Sequence, residues 1–181
     1  EREAFHHLAG IADYFLVHNR RIVRHADDSI VRVLLGQSQI LRRARGYAPC
    51  PITFNANLQK CIAVGGHSKN TIAWSDGKNI LITPHLGYLG NDKTRSVFEA
   101  TIDSTIQLSS EDPPFIACDA HPDYASSVYA GRSGQPMIPI QHHVAHAFSC
   151  MAENQLKPPF LAVVWDGSGY GMDGTLWGGE F

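Results

Sequence analysis

From residue 61 onward the chain alternates segments of strand period with segments of helix period, and this alternation limits its folds more than any other feature. Residues 61–65, 71–75 and 79–83 read as strands, with Asp76 and Gly77 placed to turn a hairpin between the second and third. Residues 94–108 carry Val97, Phe98, Thr101, Ile102, Thr105 and Ile106 on one helical face. Then come a strand at 115–118, a helix at 124–130, a strand at 137–140, a helix at 142–154 and an apolar strand at 160–165. Strand pairs followed by alternating helix and strand bury their apolar faces as an α/β sheet with helices packed on it.

The first third follows another pattern. Phe5, Leu8, Ala9 and Ala12 have helical spacing, and short strands are expected over 14–18, 22–25, 29–35 and 40–45, punctuated by Gly36 and Gly46. Pro49 and Pro51 then remove two backbone donors, and residues 55–59 are polar, so a boundary is expected at 48–59 between a segment 1–47 and a segment 60–181. Strands of the first segment should not continue the sheet of the second. The chain opens without methionine inside a helical pattern and stops in the strand-like residues 176–181, which reads as a piece of a longer protein.

A 181-residue chain with 44% hydrophobic residues and a formal net charge of −2 can bury a sizeable core and carries no excess of basic charge for nucleic acid. Arg42, Arg43 and Arg45 read as a solvated edge strand. Cys50, Cys61, Cys118 and Cys150 include no C-x-x-C pair, which points away from zinc ribbons and disulfide scaffolds and toward a reducing, cytoplasmic setting. No apolar run reaches the roughly 20 residues of a membrane span.

Chemistry concentrates in residues 141–181. His142 and His146 are one helical turn apart, so both imidazoles can reach one divalent transition metal, and Asp166, following the apolar run 160–165, could add an oxygen ligand. The same pair could also be a polar helix face, with His143 a hydrogen-bonding neighbour. Asp166 opens a glycine-rich stretch in which Gly167, Ser168, Gly169, Gly171 and Asp173 could bring backbone amides to a phosphate, although a plain hairpin would use the same residues. It lacks both the helix that follows a dinucleotide fingerprint and the lysine of a P-loop. Lys69, Asn70 and Thr71 sit in a loop between two strands and could likewise face phosphate. His121 and Asp123 follow a strand end, where open α/β sheets collect ligand-binding residues.

The runs HNRRIVRHADDSIVRV, RRARGYAPCPI, AVGGHSKNT, DAHPDY, QHHVAH and WDGSGYGMDGTLWGGEF, in that order, resemble the HypF carbamoyltransferases that mature NiFe hydrogenases. The resemblance implies that residues 1–47 are the end of a YrdC-like α/β domain and 60–181 the first lobe of a Kae-like domain with the actin and sugar-kinase (ribonuclease-H-like) fold. It implies ATP, carbamoyl phosphate and a divalent metal (iron or zinc, with magnesium accompanying nucleotide). It also implies activation of the carbamoyl group as an adenylate and its transfer to the C-terminal cysteine of a HypE partner, as precursor of a cyanide ligand. His18, Asn19 and Arg20 match a family motif, whereas Gly66, His67 and Ser68 replace a more usual Ala-acidic-Leu stretch before Lys69. Antibiotic O-carbamoyltransferases and tRNA threonylcarbamoyl transferases share the lobe, but a YrdC-like tail ahead of it favours the hydrogenase protein. A non-catalytic metal- and nucleotide-binding module would share the histidine pair.

Overall fold

Six strands form one mixed sheet around which the rest of the chain is arranged. The computed structural model describes residues 2–20, 22–24, 26–54, 57–109 and 111–181. After a short helix α1 (Arg2–Leu8), β1 (Ile30–Leu34) and β2 (Gln37–Arg42) pair as an antiparallel hairpin that stands as its own two-stranded sheet. Leu35 and Gly36 both have positive φ, as a tight hairpin turn requires. The main sheet has the order β3-β6-β5-β4-β7-β8, built from β3 (Ile52–Thr53), β4 (Cys61–Ala63), β5 (Ala73–Ser75), β6 (Asn79–Ile82), β7 (Ile116–Asp119) and β8 (Met137–Ile140). Strands β3 to β6 pair antiparallel, while β4, β7 and β8 run parallel. Asp76 turns the β5–β6 hairpin, its carboxylate accepting from the amides of Lys78 and Asn79.

Cross-strand register explains the core. Leu81, Trp74, Ile62 and Ile116 are successive partners across β6, β5, β4 and β7, so their side chains share one face. Helix α2 (Asp92–Ser109) contributes Phe98 and Ile102 to the same cluster, and α3 (Ala125–Arg132) contributes Ala130. The Phe98 and Tyr129 rings meet edge to face at 5.4 Å. Helix α4 (His142–Glu153) starts directly after β8, and its apolar Val144 and Phe148 remain exposed. A last hairpin joins β9 (Gly169–Tyr170) to β10 (Leu176–Trp177).

Three expectations need correction. Residues 14–18 and the described residues 22–24 are not strands, and His25, at the end of the second run, lies outside the described residues. Tyr14 and Leu16 are fully exposed: an alternating apolar pattern makes a strand only when another strand satisfies its ladder. Residues 160–165 are likewise not a sheet strand; only Val164 forms a bridge, with Glu180, and Leu161 and Trp165 are 79% and 92% exposed. Asp166 therefore does not end a central strand. Finally, Ile52 and Thr53, inside the interval expected to be a linker, pair with Ile80 and Asn79 at the edge of the main sheet. Asn55 and Ala56 of that interval lie outside the described residues.

Candidate metal centre

The cleft forms where two parallel strands end side by side. Asp119 is the last residue of β7 and is paired with Ile140, the last of β8, so the residues following each strand emerge at one edge of the sheet. Helix α4 begins there. Its N-cap residue Gln141 accepts a hydrogen bond from the Val144 amide through Oε1 at 2.9 Å, which fixes the first turn and with it the direction of His142.

Three side chains converge in this cleft. His142, His146 and Asp166 each offer a ligand atom within 4.8 Å of the others. Asp166 Oδ2 lies 2.9 Å from His142 Nε2 and 3.6 Å from His146 Nε2, and its Oδ1 accepts from the Gly167 amide. The other nitrogen of His142, Nδ1, is 2.5 Å from Asp119 Oδ2, and the Asp119 side chain is only 6% exposed. Asp119 is held in turn, its Oδ1 accepting from the His121 amide. A carboxylate on Nδ1 fixes the imidazole so that the Nε2 lone pair faces outward, the usual support behind a metal-binding histidine. Two imidazoles and a carboxylate suit a divalent transition metal.

The electrostatics separate the two histidines. The hydrogen bond that His142 donates to Asp119 raises the His142 pKa above its ordinary value, with burial opposing and the charges of Asp119 and Asp166 reinforcing it. Burial and the neighbouring His142 lower that of His146. Of the two, His142, between two carboxylates, therefore holds a proton more readily than His146.

The cleft has a volume of about 630 Å³, and its far wall is the loop after β4. Gly65 has φ +66°, and a Cβ there would lie 2.5 Å from the Thr71 carbonyl, so only glycine lets the chain fold back this tightly. Asn70, 1% exposed, pins the loop by donating to the Val64 and Gly66 carbonyls at 2.8 and 2.7 Å. Lys69, Thr71 and Ser168 line the cleft together with His142, His146 and Asp166. Asn70 points into the protein and serves the loop's structure.

The other expected residues lie elsewhere. Gly167, Gly169, Gly171 and Asp173 are not among the cleft's lining residues. Gly169 and Gly171 belong to the β9–β10 hairpin, where the Gly171 amide donates to the Thr175 carbonyl. Asp173 accepts from the Thr175 amide, the Thr175 hydroxyl and the Trp177 indole, contacts that hold the turn. His121 stacks on Tyr124 with centroids 4.2 Å apart, and its Nδ1 accepts from the Asp123 amide. Of the run 119–124 the sequence reading chooses His121 and Asp123 rather than Asp119 or Tyr124, and in the loop after β4 it chooses Lys69, Asn70 and Thr71 rather than His67, whose Nδ1 accepts from the Ala125 amide at the start of α3. The sequence offers a carboxylate closing an apolar strand; its place beside the histidine helix comes from the β7–β8 pairing.

Comparison with known proteins finds relatives along the whole chain. Residues 56–153 match the family model for the HypF Kae1-like domain. The chain is 46% identical over 181 residues to carbamoyltransferase HypF of Synechocystis, and 38% identical over 178 residues to that of Rhizobium leguminosarum, covering 99% and 98% of this chain. It spans 24% of the length of each. It superposes with a TM-score of 0.92 at 42% identity on a crystal structure of full-length HypF in the phosphate- and nucleotide-bound form, covering 99% of this chain and 24% of that one. The crystal structure of T. kodakarensis HypF gives 0.89 at 32% identity, covering 99% of this chain and 24% of that one. The chain belongs to the HypF family.

Proposed function

We propose that this chain supplies the metal- and phosphate-holding half of a carbamoyl-transfer site. The observation that carries the reading is the convergence of His142, His146 and Asp166, supported from behind by Asp119, on a cleft whose opposite wall presents Lys69. A divalent ion held by His142, His146 and Asp166 would offset phosphate charge. Lys69 would add a second positive charge on the other side of the cleft, and the close-packed Gly65–Gly66 backbone leaves room for an anion between them. That a related full-length HypF was crystallised with phosphate and nucleotide supports a nucleotide as the occupant.

In the complete protein, carbamoyl phosphate would be hydrolysed to carbamate and phosphate, and a carbamate oxygen would attack the α-phosphorus of ATP, releasing pyrophosphate and leaving a carbamoyl adenylate. The thiolate of a HypE-type C-terminal cysteine would attack its carbamoyl carbon, forming a C–S bond as the C–O bond to the phosphate of AMP breaks. The four cysteines of this chain have no part in that step. Residues 1–47 would be the end of a YrdC-like domain delivering the adenylate, 48–59 the connection, and 60–181 the Kae-like lobe, in a cytoplasmic protein. The separation of the β1–β2 hairpin from the main sheet supports the division. The test is transfer of isotopically labelled carbamoyl to the partner's cysteine by the full-length protein: Asp166→Ala should abolish it with the fold intact, and unchanged transfer would remove Asp166 from the site.

A further inference from the structure

His143 lies between the two candidate ligands in sequence but outside the trio they form. It is the buried residue of α4, 5% exposed. Its Nδ1 faces the Gln141 side-chain nitrogen at 3.3 Å, while its Nε2 has no hydrogen-bond partner among the described residues. Gln141 leaves little choice in that pairing. Its Oε1 is taken by the Val144 amide in capping the helix, so its amino group must face His143, and it also donates to the Tyr170 carbonyl of β9 at 3.3 Å. The helix cap therefore orients the imidazole ring.

The ring is packed against Gly169. A Cβ at that position would lie 2.6 Å from His143 Cε1 and 2.8 Å from its Nε2, closer than a Cβ approaches other heavy atoms, and at a tight 3.1 Å from His142 Cβ. Only a hydrogen fits between β9 and α4. Gly169 is three residues beyond Asp166, and the intervening residues have no ladder of their own. The spacing of Asp166 from the two histidines is thus set where the chain next touches α4, at His143.

We propose that His143 is a positioning residue: its imidazole, oriented by Gln141 and seated on Gly169, fixes the distance between α4 and the turn that carries Asp166. This rests on the reading of His142, His146 and Asp166 as a metal centre for its consequence, but the contact itself can be tested without metal. Full-length protein would be prepared as wild type, Gly169→Ala, His143→Ala and the double variant. Hydrogen exchange over residues 166–171 would be measured after chelation, and cobalt(II) alone would then be titrated in.

In Gly169→Ala the added methyl should push β9 away, quickening exchange over 166–171 and weakening cobalt binding by ~10–100-fold, as loss of supporting contacts typically does. Removing the ring should make room for the methyl, so the double variant should return to within about twofold of His143→Ala in both readouts, and closer to wild type than Gly169→Ala. A general loss of stability would not be rescued in this way. The proposal is overturned if Gly169→Ala matches wild type in exchange, or if the double variant is no better than Gly169→Ala. Should Gly169→Ala not fold, His143→Ala and the double variant decide: the double variant must fold and match His143→Ala. If wild type takes up no cobalt, the metal reading fails while exchange still decides the role of His143.

Discussion

Asp119→Asn changes one oxygen to an amide, and it should alter metal binding in two ways that move in different directions. Asp119 is not itself one of the proposed ligands; it acts through the 2.5 Å contact with Nδ1 of His142. Carboxylates behind metal-binding histidines typically contribute 10–100-fold in affinity, about 1.4–2.7 kcal/mol. The upper part of that range is expected here, because Asp119 is almost wholly buried and water cannot take its place. At high pH the variant should bind a divalent ion more weakly. At low pH the proton competes with the metal for His142, and removing Asp119 removes the largest cause of its raised pKa, so the pH at which binding sets in should fall. The assay is competitive titration of the full-length protein from pH 5 to 8, in steps of about half a unit. An unchanged plateau affinity, or an onset that moves to higher pH, would refute the role given to Asp119.

The same pair predicts a pH effect on metal-free stability: because His142 is raised, its contribution is complete below about pH 6.5 and is lost as pH rises through its folded pKa, and Asp119→Asn should flatten that slope in thermal unfolding. His146, lowered by burial, slopes the opposite way, so the difference between wild type and variant is the quantity to compare. Gly65→Ala should destabilise by about 1–3 kcal/mol or more, since it forces positive φ on a side chain that also meets the Thr71 carbonyl; an unchanged melting temperature would contradict the tight-loop account. Asn70→Ala should cost about 2–5 kcal/mol by leaving the Val64 and Gly66 carbonyls unpaired, read from denaturant midpoints. Phe98→Ala, emptying the contact between α2 and the sheet, should cost about 3–5 kcal/mol without moving metal affinity.

Elements whose residues declare their own partners were readable in advance. Strand β8 falls at residues 137–140 as expected, and α2 and α4 lie within a few residues of their expected spans, because apolar spacing along one segment suffices to place a helix face. What failed depended on a second segment. An apolar run such as 160–165 looks like a buried strand, but nothing in its composition says whether a ladder partner exists, and only Val164 finds one. The two-residue β3, hemmed by Pro51, is too short to leave a period. The site divided the same way. His142 and His146 could be paired from spacing alone, whereas Asp119 joins them only through the parallel register of β7 and β8, a tertiary fact that favoured it over His121 and Asp123.

The central claim is that His142, His146 and Asp166 hold one divalent ion at the mouth of the cleft. Anomalous diffraction from crystals of the full-length protein, with data collected on both sides of the absorption edge of the bound metal, tests it most directly. The account predicts a single peak bonded at about 2.0–2.2 Å to a nitrogen of each histidine and an oxygen of Asp166, lost in His142→Ala. A peak held by other residues, or one that persists in His142→Ala at the same position, would contradict it.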